Sequence, residues 1–145
     1  NMAVVTSAGL IGKVKSVQQF TSHIQLLSSV DNTNRVSAEI QGKEPIYGIV
    51  EGFDEEKDLL VLKEIPSDAK VKKGQTVITS GLGGIFPKGL PIGKVVEEEP
   101  DEYGLNKKIY VEPGADFYDI NEVIVVTREV TKVDLKTIET EEEDQ

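Results

Sequence analysis

The sequence predicts an all-β fold, and three observations carry that prediction. Apolar and polar residues alternate with period two along several stretches. The continuous apolar runs are a few residues long and rich in branched side chains, too short for helices. Turn-forming residues separate the runs at intervals of roughly 8–12 residues, the spacing of a sandwich or barrel of short strands.

In chain order, Ile24 and Leu26 alternate with His23 and Gln25, which predicts a half-buried strand. Asp31, Asn32, Thr33 and Asn34 then signal a turn. Val36, Ala38 and Ile40 face one way while Ser37, Glu39 and Gln41 face the other, and Gly42-Lys43 closes that strand. Ile46, Gly48 and Val50 alternate with Tyr47, Ile49 and Glu51, with Gly48 expected at a bulge or sharp bend. The apolar runs 59–62 and 123–126 are expected to be strands buried on both faces. Residues 92–96 and 109–111 are further strands, the second ended by the turn signal Glu112-Pro113-Gly114. Near the C-terminal end Val130, Val133 and Ile138 trace one side of a short helix, although Thr131 and Thr137 oppose it.

Composition narrows the function. The 145 residues carry a net charge of −10, so no basic surface is offered for counterion release and no nucleic-acid partner is expected. There is no Cys and one His, which removes disulfides and the common zinc sites. Half of the charge imbalance lies in residues 134–145, expected to be a solvated, disordered acidic tail. No run of 18 apolar residues occurs to span a bilayer, and no charged start precedes an apolar stretch as in a signal peptide. The expected organisation is a first β sub-domain over 1–70, a second over 71–133, and the tail, with the soft boundary at the basic, turn-rich residues 70–73.

One segment breaks the rhythm. Between residues 80 and 93 lie Gly81, Leu82, Gly83, Gly84, Phe86, Pro87, Gly89, Pro91 and Gly93. Its apolar residues, Leu82, Ile85, Phe86, Leu90 and Ile92, need burying, so a specifically shaped loop is expected and not a polar linker. Phe86, Leu82 and Leu90 are expected to plug a barrel mouth or a cleft, and the loop's exposed part to meet a partner. It is a poor phosphate loop. Phe86 stands where a dinucleotide fingerprint needs its third glycine, and Leu90 where a phosphate-cradling loop needs its Lys.

His23, then Asp54 or Asp58, then Ser80 repeat the chain order of a trypsin-like triad, which keeps a serine-type hydrolase on a double β-barrel as the alternative function. Against it, the spacings are compressed, and His23 alternates with core positions as a solvated strand residue does. The acidic runs 97–102 and 54–56 lack the alternating ligands and central glycine of a calcium loop, and read as solvated turns. No catalytic, cofactor or metal residue is expected.

The most specific feature is therefore the stretch from Ser80 to Val95, which resembles the signature of MreC, the rod shape-determining family of bacteria. The likeness extends to Gly9–Val14, to Val36–Ile40 with Tyr47–Gly52, and to Lys73–Thr79, covering most of the chain from Gly9 to Arg128. The resemblance implies two small β-barrels, reminiscent of trypsin-like proteases without their catalytic residues. It implies a non-enzymatic scaffold of the cell-elongation and peptidoglycan-synthesis machinery on the extracytoplasmic face of the membrane. The implied partners are penicillin-binding proteins, the membrane protein MreD and further copies of the chain, as a dimer or filament. The family's transmembrane anchor and coiled coil would precede this stretch, and Asn1 ahead of Met2 is read as the start of an excised piece.

Overall fold

A computed structural model describes residues 2–29, 35–84 and 86–127. The turn signal at 31–34, Ile85, the C-terminal helix and the acidic tail lie outside the described residues. Ten strands form: β1 (Ala3–Thr6), β2 (Gly9–Val17), β3 (Ser22–Leu26), β4 (Arg35–Ile40), β5 (Ile46–Asp54), β6 (Leu59–Pro66), β7 (Thr76–Thr79), β8 (Pro91–Pro100), β9 (Asn106–Pro113) and β10 (Ile124–Val126). All pairings are antiparallel. The all-β prediction holds.

The strands divide into a closed six-stranded barrel, in the order β4-β5-β6-β9-β8-β7, and an open four-stranded sheet, β10-β1-β2-β3. Among the described residues the second unit is thus an open sheet. The expected boundary at residues 70–73 falls between β6 and β7, both of which belong to the barrel. A lysine- and glycine-rich turn looks the same in sequence whether it joins two domains or two strands of one, and composition does not distinguish the two. The pairing also brings the last described strand back to the first, since β10 lies against β1 with Val125 opposite Val4.

One apolar cluster runs through both units. Ala3, Val4, Leu10, Ile11 and Leu27 come from the sheet, and Val36, Ile40, Leu60, Leu62, Ile65, Ile92 and Ile109 from the barrel. The units meet by close backbone approach: a Cβ on Gly114 would lie 2.4 Å from the carbonyl of Ala8, in the turn between β1 and β2.

Several local expectations change. Residues 59–62 are not buried on both faces, because Leu60 and Leu62 point into the barrel while Leu59 and Val61 are partly exposed. Residues 123–126 are mostly exposed, since β10 is the outer strand of the sheet. Gly48 marks no bulge: it pairs in register with Ala38, and its missing side chain leaves room for Ile65, whose Cδ1 would be 2.5 Å from a Cβ there. The register shift comes later, between Val50 and Phe53, where Gly52 takes φ +109°. The acidic run 97–102 divides, with Asp101 and Glu102 in the turn between β8 and β9 and the first three glutamates in strand. Glu97, Glu98 and Glu99 belong to β8 and sit opposite Tyr110, Ile109 and Lys108 of β9.

Candidate functional site

The glycine–proline loop leaves the barrel at Thr79, the last residue of β7, and re-enters it at Pro91, the first of β8. Thr79 is wholly buried and clamps the two ends together. Its Oγ1 donates to the Pro87 carbonyl at 2.6 Å and accepts from the Leu90 amide at 2.9 Å. Its own amide donates to the Leu90 carbonyl at 2.9 Å, and its carbonyl accepts from the Gly89 amide at 2.9 Å. Four hydrogen bonds at one residue close the loop from inside, where each replaces water that cannot reach.

The expected plug divides. Phe86 is 5% exposed and joins the core, and Leu90 packs partly against it, whereas Leu82 is 59% exposed. The glycines also divide. Gly81, Gly83, Gly84 and Gly89 have φ between +74° and +95°, the left-handed region where Cβ is strained. Gly93 instead lies in β8 pressed against β9, where a Cβ would come within 2.0 Å of the Glu112 carbonyl. Leu82, Gly83, Gly84 and Gly89 are therefore the surface of the loop, beside exposed Pro91, while Phe86 and partly buried Pro87 hold its shape.

No catalytic triad assembles. His23 stands on β3 of the open sheet, exposed, with its Nδ1 3.3 Å from Ser16 Oγ on the neighbouring strand. Ser80 is buried on the barrel, its amide donating to the Ser37 carbonyl and its Oγ accepting from the Leu82 amide at 3.2 Å. Asp54 caps its own turn by accepting from the amides of Glu56 and Lys57, and Asp58 accepts from the Tyr118 hydroxyl at 3.0 Å. Each candidate is used locally, and the base and nucleophile belong to different sheets. The geometry does not support the hydrolase alternative.

The β8–β9 face holds the strongest side-chain cluster. Lys57 Nζ bonds Glu97 at 2.5 Å and lies 4.1 Å from the centre of the Tyr110 ring. The Tyr110 hydroxyl donates to Glu99 at 2.8 Å, and Lys107 pairs with Glu98 at 3.0 Å while donating to the Ala69 carbonyl. The bond to Glu99, then burial, raise the Tyr110 phenol above its ordinary pKa. The bond to Glu97 likewise raises Lys57. These contacts explain how three consecutive glutamates stay in a strand: their charges are spent across the ladder on Lys57, Tyr110 and Lys107.

Sequence reasoning missed Thr79 and a second residue, Glu39. Glu39 faces away from Val36, Ala38 and Ile40 as expected, yet it is 7% exposed, and its Oε2 is buried without a hydrogen-bond partner. Nothing in the chain around Thr79 or Glu39 marks either one, because the neighbours that bury them come from β5, β7 and the far end of the loop.

The family description "Rod shape-determining protein MreC, barrel core" matches residues 1–127. The chain spans about half the length of the curated relatives it matches, which are cell shape-determining proteins of the same name, up to 50% identical. The structure of MreC from Listeria monocytogenes superposes with a TM-score of 0.86 at 50% identity, covering 89% of this chain and 61% of that one. A structure described as the major periplasmic domain from the cell shape-determining filament MreC gives 0.71 at 33% identity, covering 79% and 70%. The complex between a penicillin-binding protein and MreC from Helicobacter pylori gives 0.60 at 25% identity, covering 77% and 66%.

Proposed function

The chain belongs to the MreC family of bacterial rod shape-determining proteins, and from that premise we propose that it is a non-enzymatic scaffold of the cell-elongation machinery. It holds protein partners, penicillin-binding proteins among them, on the extracytoplasmic face of the membrane, and associates with further copies of itself. In the whole protein a transmembrane anchor keeps it there, beside MreD. Two relatives support the reading: one structure is described as a periplasmic domain of a filament, and another as a complex with a penicillin-binding protein.

The observation in this molecule that carries the proposal is its division of labour. A closed barrel holds a rigid surface loop, while the open sheet ends in an outer strand with Ile124 and Val125 exposed. An apolar strand that is outermost among the described residues is a template for another chain. The candidate acid, base and nucleophile meanwhile are consumed in local turns and pairs.

Two measurements test it. Sedimentation of this chain should show a mass that rises with concentration, and a strict monomer at high concentration would refute self-association. A chip carrying the extracytoplasmic part of the elongation penicillin-binding protein should capture the chain reversibly. Failure to capture it at any concentration would remove that partner.

A further inference from the structure

We propose that an aromatic-walled cavity at the sheet-side end of the barrel receives an arginine side chain from a basic protein partner. The cavity, of about 290 Å³, lies where the chain leaves β9 beside the turn between β1 and β2. Its size suits one side chain and no large ligand. Phe53 of β5 and Phe117 meet edge to face there, with ring centres 6.0 Å apart. Phe117 is buried and fixes the wall, whereas Tyr118 beside it is 76% exposed. Two bonds hold Tyr118 in place: its amide donates to Asp116 at 2.9 Å and its hydroxyl to Asp58 at 3.0 Å. An exposed ring that is already ordered loses little freedom when a partner arrives, which favours binding there.

The charges select the ligand. Asp58, Glu112 and Asp116 line the same cavity, all three are exposed, and no described lining residue is a cation. Lys94 stands opposite Glu112 across the β8–β9 ladder and offsets part of its charge, while Lys57 is held by Glu97, so Asp58 and Asp116 dominate the opening. The Tyr118 phenol senses this field: its bond to Asp58, then the charges of Asp58, Glu55 and Asp116, raise it above its ordinary pKa. A metal ion is the poorer fit, because among the described residues no three metal-ligating side chains converge. Carboxylates spread around aromatic walls match a planar guanidinium instead, which donates from its edges while its face stacks on a ring. The net charge of −10 repels a second copy and draws a basic partner, so the arginine is assigned to another protein.

This inference rests on the partner-binding reading above, and the test separates the two because it needs no partner. The chain, labelled with nitrogen-15, is titrated with N-acetyl-arginine amide and with its uncharged citrulline counterpart. Arginine should shift the amide signals of residues 58 and 114–118, and citrulline should not. The acidic turn at 101–102, before the other end of β9, is the control for diffuse attraction. Asp58→Asn combined with Asp116→Asn should weaken the response about tenfold, since each asparagine can still accept the bond from Tyr118 but carries no charge. Asparagine also suits position 58, where φ is +54°. Tyr118→Leu, at an exposed position, should keep the fold and weaken the response several-fold. Equal shifts with citrulline, equal shifts in the control turn, an unchanged double variant or no response at all would overturn the proposal. Sedimentation of the double variant should match wild type, and a shift toward monomer would make the occupant a second copy and overturn the assignment to another protein. Failure to bind the immobilised penicillin-binding protein, with the arginine response intact, would remove that partner and keep the site.

Discussion

The barrel and the sheet solve one problem in opposite ways. Both are built of short antiparallel strands with period-two apolar faces, and both contribute to one core. In the barrel every strand has a neighbour on each side, so no backbone edge is left, and its interior is filled by fully buried Leu60, Leu62, Ile65, Val77, Ile92 and Ile109. The sheet stays open, and its outer strand β10 turns Ile124 and Val125 toward solvent. Closure yields rigidity and no place to add a strand, whereas openness sacrifices apolar burial for a surface on which another chain can pair.

The largest test of that contrast compares apolar truncations in the two units. Leu62→Ala should destabilise the fold by about 2–5 kcal/mol, because a closed interior relaxes poorly around a cavity. Ile124→Ala on the outer strand should change stability by less than about 0.5 kcal/mol. Equal losses, read from chemical denaturation, would mean that β10 is packed as tightly as the barrel.

A smaller effect is expected where the barrel shapes its loop. Gly84 has φ +74°, so Gly84→Val should lower stability by about 1–3 kcal/mol. Thr79→Val keeps the volume but removes the hydroxyl that holds Pro87 and Leu90, with a loss of about 1–3 kcal/mol. Hydrogen exchange should show the loss concentrated in the Gly89 and Leu90 amides, and uniform loss across the barrel would contradict the clamp.

On the sheet the corresponding change should leave stability nearly untouched and alter association. Ile124→Lys puts a charge on the exposed outer strand, so its melting temperature should match wild type while its sedimentation shifts toward monomer. Unchanged association would move the self-contact away from β10.

The smallest effect is electrostatic and belongs to the barrel. Tyr110 keeps its proton above the pH at which free tyrosine ionises, chiefly through its bond to Glu99. Its contribution to stability is therefore fully present below about pH 10 and is lost as pH rises through the raised value. Glu99→Gln should move one tyrosine's ultraviolet titration back toward the ordinary value. No movement would mean that burial alone sets it.

How much of this was legible in the sequence varied with the range of the cause. Alternation in Val36, Ala38 and Ile40 reports a local property, the direction of successive side chains, and it read correctly. The same pattern put Glu39 on the outer face but could not show its burial, because Ile78 and Tyr47 reach it from other strands. In the loop, left-handed backbone was readable at Gly84, since φ is set within the residue. The inward turn of Phe86 and outward turn of Leu82 were not, because both are equally apolar and only the packing distinguishes them.

By itself the sequence determined that this chain is all-β and acidic, and it showed in the stretch from Ser80 to Val95 the family to which the chain belongs. Those properties are carried by residue type and near-neighbour spacing. Only the tertiary structure decided that β4–β9 close on themselves while β10 returns to β1, that Thr79 holds the loop, and that His23 and Ser80 lie on different sheets. Each of these depends on contacts between residues distant along the chain, and antiparallel pairing between remote strands leaves no periodic trace in either one.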